Sequence, residues 1–247
     1  MNEKPPVAAI LLIGNEILSG KVEEQNARYL VRELRALGVT VGRIEIVPDD
    51  LDDIATSVRT LSARFDVVFS SGGVGPTHDD VTLPAVAAAF GRAMVRDAEL
   101  ERLIRDGFGA GLHTRDLRMA DIPDGARLER GAGGGGAMWP VVVVENVWIL
   151  PGVPSIFRRK FEAIREIFRS APIYGRAVYS REGEGAIAEA LDAVVAGWPS
   201  VEIGSYPHLD ATDYKVKITL DGRDRRAVDA ATAGLSERLG PAVVRVD

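Results

Sequence analysis

Apolar residues along the first ninety positions change their spacing several times, and these changes predict alternating strands and helices. Val7–Ile13 is a continuous apolar run, too short for a helix but typical of a strand buried on both faces. Strands are also predicted at 39–47 and 66–71. Helical spacing of apolar residues predicts helices at 27–37, 51–61 and 80–90. This order predicts a parallel sheet covered by helices on both faces.

The middle of the chain gives weaker patterns. The segment 14–20 predicts a loop or turn, and 130–136 is a glycine-rich loop (RGAGGGG). Two short valine-rich runs flank Glu145-Asn146, which favours a hairpin. Further helices are predicted at 97–109, 114–121 and 155–168.

Beyond Ala171-Pro172 the pattern starts again, and this dipeptide predicts a domain boundary. The predicted order is strand, helix, strand, strand, helix, strand, which is typical of a ferredoxin-like unit. The fold class is therefore a three-layer α/β/α domain with a mostly parallel sheet at 1–171, followed by a smaller α+β domain at 172–247.

Composition excludes several classes of protein. Among 247 residues there are 30 Lys and Arg against 36 Asp and Glu, a formal charge of −6, and no cysteine. A chain without cysteine has no disulfide scaffold, thiolate zinc site or cysteine nucleophile. The acidic balance argues against a nucleic-acid binder. No apolar run reaches the roughly 18–20 residues that span a membrane, and the first residues lack a signal-peptide layout, so we expect a cytoplasmic protein without membrane partners.

The most informative segment runs from Ser70 to Thr82 and joins a predicted strand to a predicted helix. Its glycines at 72, 73 and 75 allow positive φ angles and bring backbone N–H groups close to a ligand. With the helix N-terminus they predict a phosphate-binding loop. A tight turn with a capping box between Thr77 and Asp80 explains the same residues without a ligand.

Carboxylates follow each of the first three predicted strands. Glu16 follows the first, Asp49 and Asp50 the second, and Asp79 and Asp80 the third. Ligands of open α/β sheets bind at the carboxyl ends of the strands, where these acids would meet. Each acid alone is explained as a helix cap. Together they predict a divalent cation that bridges carboxylate and phosphate oxygens.

Other nucleotide signatures do not match. The glycines at 14 and 20 are one residue too far apart for a P-loop, and Val22 replaces its hydroxyl residue. The loop at 72–75 lacks the third glycine of a dinucleotide fingerprint. His78 could donate to a phosphate, and Pro151-Gly152, between another strand and helix, could form the far wall of the cleft.

The segment 72–82 (GGVGPTHDDVT) resembles the molybdopterin-binding (MoaB/Mog) domain family, most closely its CinA N-terminal and FAD synthase N-terminal branch. Four further segments agree with that branch: 13–20, Asn26, 47–50 and 150–154. The strands at 201–206 and 214–220 resemble its second domain. At 133–140 the chain departs from an Ala-Pro-Gly stretch common in the Mog branch.

The resemblance implies a nucleotide or pterin ligand and an expected two-domain form, without the further domains of full-length CinA and FAD synthase. It places essential acids at Asp49 and Asp80, and these two are the predicted catalytic residues. The predicted metal ligands for magnesium, manganese or cobalt are Asp80, Asp79, Asp49 and Glu16. The family forms dimers and trimers, which implies a homo-oligomer. The predicted substrate-binding residues are Gly14, Gly72, Gly73, Gly75, Thr77, His78, Asn26, Pro151 and Gly152.

Three functions follow as hypotheses. The first is metal-dependent hydrolysis of nucleotide diphosphates such as ADP-ribose or FAD, the pyrophosphatase activity of the CinA branch. The second is adenylyl transfer to molybdopterin, as in the Mog branch. The third is a non-catalytic module that binds a nucleotide or pterin.

Overall fold

Two units make up the chain, Met1–Ser170 and Ala171–Asp247. The computed structural model describes residues 5–131, 139–208 and 213–247. The glycine-rich loop predicted at 130–136 lies mostly outside these residues. Within the described ranges, none of the helices is long and apolar enough to cross a membrane.

The first unit contains eight strands and six helices among its described residues. The strands are β1 (Val7–Ile13), β2 (Thr40–Val47), β3 (Val67–Ser71), β4 (Met94–Arg96), β5 (Asp121–Pro123), β6 (Arg127–Glu129), β7 (Val141–Val144) and β8 (Val147–Leu150). The helices are α1 (Asn15–Leu18), α2 (Asn26–Ala36), α3 (Leu51–Arg64), α4 (Thr82–Ala89), α5 (Ala98–Phe108) and α6 (Pro154–Ile164). Short 3-10 turns follow α5 and α6, and another covers Thr114–Ala120.

The main sheet has the strand order β2-β1-β3-β8-β7-β6. The first four strands are parallel, and β7 runs antiparallel to β8 and β6. Register pairs Ile13 with Val47, Leu12 with Ser71, and Ser71 with Leu150. The carboxyl ends of all four parallel strands therefore meet at one edge of the sheet.

The continuous apolar run of β1 is explained by its two covered faces. Ala9, Leu11 and Ile13 pack into a core with α3, α4 and α5, whereas Ala8, Ile10 and Leu12 pack into a second core with α2 and α6. Because successive side chains of a strand point to opposite faces, both sets must be apolar. The predicted three-layer α/β/α fold with a mostly parallel sheet is confirmed.

Two local predictions differ from the structure. The segment predicted as a loop at 14–20 contains one helical turn, α1, because Gly14 O accepts the N–H groups of Ile17 and Leu18. The helix predicted from position 80 begins at Thr82. Asp80 instead belongs to the preceding turn, where its carboxylate accepts the backbone N–H of Thr77 at 2.8 Å.

The second unit has the predicted ferredoxin-like order. Its elements are β9 (Tyr174–Ser180), α7 (Glu184–Gly197), β10 (Glu202–Pro207), β11 (Val216–Gly222), α8 (Arg225–Leu239) and β12 (Val243–Val246). The strands form an antiparallel sheet in the order β10-β11-β9-β12. Apolar residues of β9 and β11 pack against α7 and α8 in a separate core.

Candidate functional site

A cavity of about 600 Å³ lies at the carboxyl edge of the main sheet. It is lined by residues that follow β1, β2, β3 and β8, and by residues of α6. The volume lies within the range of small-molecule binding sites. Of the predicted site residues, the cavity collects Glu16, Asp49, Gly72, Gly73, Gly75, Asp79, Asp80, Pro151 and Gly152.

The glycines at 72 and 73 are required by their close neighbours. Gly72 has a φ of 111°, and a Cβ there would lie 2.2 Å from the carbonyl oxygen of Ile13. Gly73 has a φ of 63°, and its Cβ would lie 2.3 Å from the hydroxyl of Thr82. That buried hydroxyl donates to Gly72 O at 2.9 Å. The loop is therefore folded tightly against both β1 and the start of α4.

Backbone N–H groups of this loop differ in their availability. Gly72 N donates to Leu150 O at 3.2 Å, so it is already used within the protein. Across the described residues, the N–H groups of Gly73, Val74 and Gly75 find no acceptor. All three residues line the cavity. Buried or half-buried N–H groups without a partner are costly, and an anionic ligand satisfies them.

Thr77 organises the acidic end of the loop. Both its backbone N–H and its hydroxyl donate to Asp80 Oδ2. The nearby Thr77 hydroxyl is also the largest cause that lowers the pKa of Asp79, followed by the backbone N–H of Asp79 and a smaller contribution from His78. Asp79 also lines the cavity, so a second carboxylate of this segment reaches it.

Asp49 and Glu16 bring two further carboxylates to the same cavity. Asp49 Oδ2 accepts the backbone N–H of Asn15 at 2.8 Å, which ties the end of β2 to the first turn after β1. Glu16 lies on that turn and is exposed. Anionic side chains are stabilised near a helix N-terminus, so Asp49 also acts as a local cap for α1.

The carboxylates of the cavity do not form a complete coordination shell for a metal ion by themselves. In the described part of the chain, no group of three or more Asp, Glu or His residues is arranged to hold a metal ion. Magnesium usually takes one or two carboxylates and completes its shell with water and substrate phosphates. The oxygen-rich, cysteine-free set of Asp49, Asp79, Asp80 and Glu16 fits that type of binding.

Four predicted substrate-binding residues are not among those that line the cavity: Gly14, Asn26, Thr77 and His78. Asn26 is buried, and its amide donates to Ser71 Oγ at 3.0 Å and to Gly152 O at 2.8 Å. It therefore fixes the loop after β8 to the end of β3. His78 points to solvent, with a side chain 96% exposed.

The cavity also has an apolar wall that sequence reasoning missed. Its members come from several elements and from the residues before β7: Ile13, Val74, Leu83, Leu100, Met119, Trp139, Val142, Ile149, Val153 and Ile156. Such a wall accommodates a flat heterocycle. No local pattern predicts it, because these residues are distant in the chain and most continue the hydrophobic core.

Lys160 of α6 is a second feature absent from the predicted site. Its Nζ donates to the carbonyl oxygen of Pro140 at 2.8 Å, and the side chain lines the cavity. Loss of hydration, with a smaller contribution from the Arg159 charge, lowers the pKa of Lys160 to about 8. A sequence signal exists, since Ile156, Lys160 and Ile164 follow one another at helical four-residue spacing.

Comparison with known sequence families matches both units. Residues 9–169 match the family described as "Probable molybdopterin binding domain", and residues 172–247 match the family described as "FAD synthase, middle domain". The first match covers more than half of the chain.

Individual relatives agree with these families. A protein of Archaeoglobus fulgidus is 35% identical over 234 residues, which cover 93% of this chain and 96% of the relative. A Caenorhabditis elegans protein described as "Probable FAD synthase" is 31% identical over 97% of this chain, which spans only 51% of that relative. The chain also resembles the crystal structure of CinA from Thermoplasma acidophilum, which is described as of unknown function. The two sequences are 33% identical and the TM-score is 0.59. The match covers 66% of this chain and 98% of the CinA chain.

Proposed function

Since the chain belongs to the molybdopterin-binding domain family, in its CinA-like and FAD synthase-like branch, we propose that the cavity of the first unit binds a nucleotide or pterin and hydrolyses a nucleotide diphosphate. The observation that carries the proposal is the meeting of two complementary groups in one cavity. In the described part of the chain, the backbone N–H groups at 73–75 have no acceptor, and these residues line the same cavity as four carboxylates at the edge of the sheet.

The N–H groups have the role of holding phosphate oxygens. A run of successive backbone N–H groups that converge on a cavity binds anions without any charged side chain. The loop is held rigidly by Gly72, Gly73 and Thr82, so its N–H groups need little reorganisation when a phosphate binds. Thr77 fixes the carboxylate of Asp80 in the same way.

The carboxylates have the role of holding a divalent cation next to the phosphates. Asp49, Asp79, Asp80 and Glu16 carry four negative charges, which on their own repel a diphosphate. A divalent ion held by these residues would neutralise charge on the phosphoryl oxygens and supply a Lewis acid there.

Hydrolysis itself is a balanced exchange of bonds at phosphorus. Water adds to one phosphorus atom, the bridging P–O bond breaks, and two monophosphate dianions and two protons are released. The residues of this chain contribute position and charge, which supply most of the catalysis in phosphoryl transfer. ADP-ribose would yield AMP and ribose phosphate, and FAD would yield AMP and FMN.

A chromatographic assay for AMP tests the proposal. The chain is incubated with ADP-ribose or FAD and with magnesium, manganese or cobalt in turn. We expect AMP with at least one metal, and a loss of about 10²-fold or more in Asp80→Asn, which keeps an acceptor for Thr77 but loses the charge. Asp52→Asn is the control, because Asp52 is an exposed acid in the first turn of α3 and does not line the cavity. Equal rates for wild type and Asp80→Asn with every metal contradict hydrolysis at this site.

Ligand binding without turnover is the second candidate, and one observation favours it. No three acidic or histidine side chains of the described residues form a metal-binding group on their own. If the site binds its ligand without turnover, we expect calorimetry to detect nucleotide binding, whereas the AMP assay should yield no AMP with any metal.

A further inference from the structure

Lys160 brings an unpaired positive charge into the cavity. Its Nζ donates one hydrogen bond, to Pro140 O, and among the residues that the structure describes no carboxylate contributes to its electrostatic environment. An ammonium group has three donors and no acceptor, so two donors remain for another partner. Partial removal from water makes that pairing favourable, because the charged group has lost hydration without gaining a counter-charge.

Strand order separates Lys160 from the acidic residues. Pro140 directly precedes β7, and Val142 pairs with Ile149, so this end of β7 lies at the same edge as the carboxyl end of β8. Neighbouring strands are about 4.8 Å apart, which places the β7 position roughly 10 Å from the end of β3 and roughly 14 Å from the end of β1. Lys160 therefore faces a different part of the ligand from the carboxylates after β1 and β2.

Between the two charged ends, the cavity wall is apolar. Trp139 lies next to Pro140, and Ile156 lies one turn before Lys160 on α6. Leu83, Met119 and Ile149 continue the same wall. If the phosphates of a ligand bind at the glycine loop, its flat ring lies along this wall, and the edge of the ring faces Lys160.

We propose that Lys160 recognises a carbonyl oxygen on the ring of the ligand, so that the site prefers oxo-substituted heterocycles, such as flavin, pterin or oxopurine rings, to the adenine ring. This inference rests on the proposed location of the ligand and deepens it. A ring carbonyl accepts a hydrogen bond from the ammonium group. The amino group of adenine at the same position is itself a donor, and two facing donors repel.

Calorimetric titration with two monophosphates tests the proposal without any turnover. Inosine monophosphate has a ring carbonyl where adenosine monophosphate has an amino group, and the adjacent ring nitrogen is protonated only in the inosine compound. Neither contains a diphosphate bond. We expect the wild type to bind the inosine compound about tenfold or more tightly, as for a hydrogen bond to a charged group. Lys160→Met should reduce this ratio to near one and leave the affinity for inorganic phosphate unchanged.

Controls separate the inference from a general charge effect and from the proposed hydrolysis. Arg159→Met removes the same charge from an exposed neighbour on α6 and should keep the wild-type ratio. Circular dichroism checks that each variant is folded, and Lys160→Gln, which keeps a donor for Pro140 O, replaces Lys160→Met if the latter is not.

Three results overturn the inference. The first is equal or weak binding of both nucleotides to the wild type, and the second is an unchanged ratio of the two nucleotide affinities in folded Lys160 variants. The third is an equal loss of affinity for phosphate and for inosine monophosphate, which would show that Lys160 binds the phosphates. The expected ratio together with no AMP release in any metal supports the inference and contradicts hydrolysis.

Discussion

Gly72 and Gly73 are required by neighbouring protein atoms before any ligand is considered. The carbonyl oxygen of Ile13 and the hydroxyl of Thr82 leave no space for a Cβ at these positions. The phosphate-loop explanation and the tight-turn explanation of this segment are therefore compatible. Tight packing creates the turn. Residues 73–75 of this turn line the cavity, and their N–H groups have no acceptor among the described residues.

Gly73→Ala should destabilise the first unit by roughly 2–4 kcal/mol, because the new methyl group strains a positive φ and collides with Thr82 Oγ1. Gly91→Ala is the matched control. Gly91 has nearly the same φ, 62°, but open space around its Cβ, so we expect a cost of only about 1–2 kcal/mol. Urea unfolding measures both. Equal losses would show that the contact with Thr82 adds nothing.

Lys160 should make stability rise with pH above neutrality. Its pKa is about 8 in the folded protein, below the ordinary 10.5, so between these values the unfolded chain holds a proton that the folded chain lacks. The free energy of unfolding therefore increases as pH rises through that window. We expect the wild type to gain roughly 1–2 kcal/mol relative to Lys160→Met between pH 7 and pH 9.5. A constant difference across this range would contradict the lowered pKa.

Most of the secondary structure could be predicted because each element has a strong local signal. The apolar run of β1, the helical spacing in α2 and α3, and the order of the second unit all appear in the sequence. The short strands β4, β5 and β6 were not predicted. Each has three residues, and β4 is exposed along its whole length, so no apolar alternation marks it.

The candidate site could be predicted only where its residues follow strands directly. Glu16 and Asp49 lie shortly after β1 and β2, and the glycine loop and the acids at 79 and 80 lie in the connection from β3 to α4. Parallel strands bring these connections to one edge of the sheet. Lys160 and Trp139 enter the cavity through tertiary packing of α6 and of the residues before β7. Asn26, a predicted substrate-binding residue, does not line the cavity and joins the end of β3 to the loop after β8, so its contact with a ligand stays a prediction.

Asp49 and Asp50 are adjacent acids whose effects should differ. Asp50 caps α3, and its Oδ1 accepts the N–H groups of Asp52 at 3.0 Å and Asp53 at 3.1 Å. Asp50→Ala should cost about 1 kcal/mol of stability and leave AMP release from ADP-ribose unchanged. Asp49→Asn keeps an acceptor for Asn15 but removes a cavity charge, so it should reduce AMP release about 10²-fold with little loss of stability. Urea unfolding and the AMP assay together check the pair, and a reversed pattern would exclude Asp49 from the site.

The chain as a whole contains separate hydrophobic cores for its two units. Two core clusters cover the faces of the main sheet, and a third belongs to 171–247 alone. All residues that line the cavity belong to the first unit. Ligand binding and the stability of the second unit are therefore expected to respond to different substitutions.

Ile218→Ala should separate the two properties. Ile218 is fully buried in the core of the second unit, so its truncation should destabilise that unit by roughly 2–4 kcal/mol. Inosine monophosphate should bind with unchanged affinity, because the described residues that line the cavity all lie in the first unit. Ile10→Ala, which removes the same volume from a fully buried position of β1, is the matched variant and should destabilise the first unit instead. Urea unfolding followed by circular dichroism, with calorimetry in parallel, measures both effects. A loss of nucleotide affinity in folded Ile218→Ala would show that the second unit contributes to the site after all.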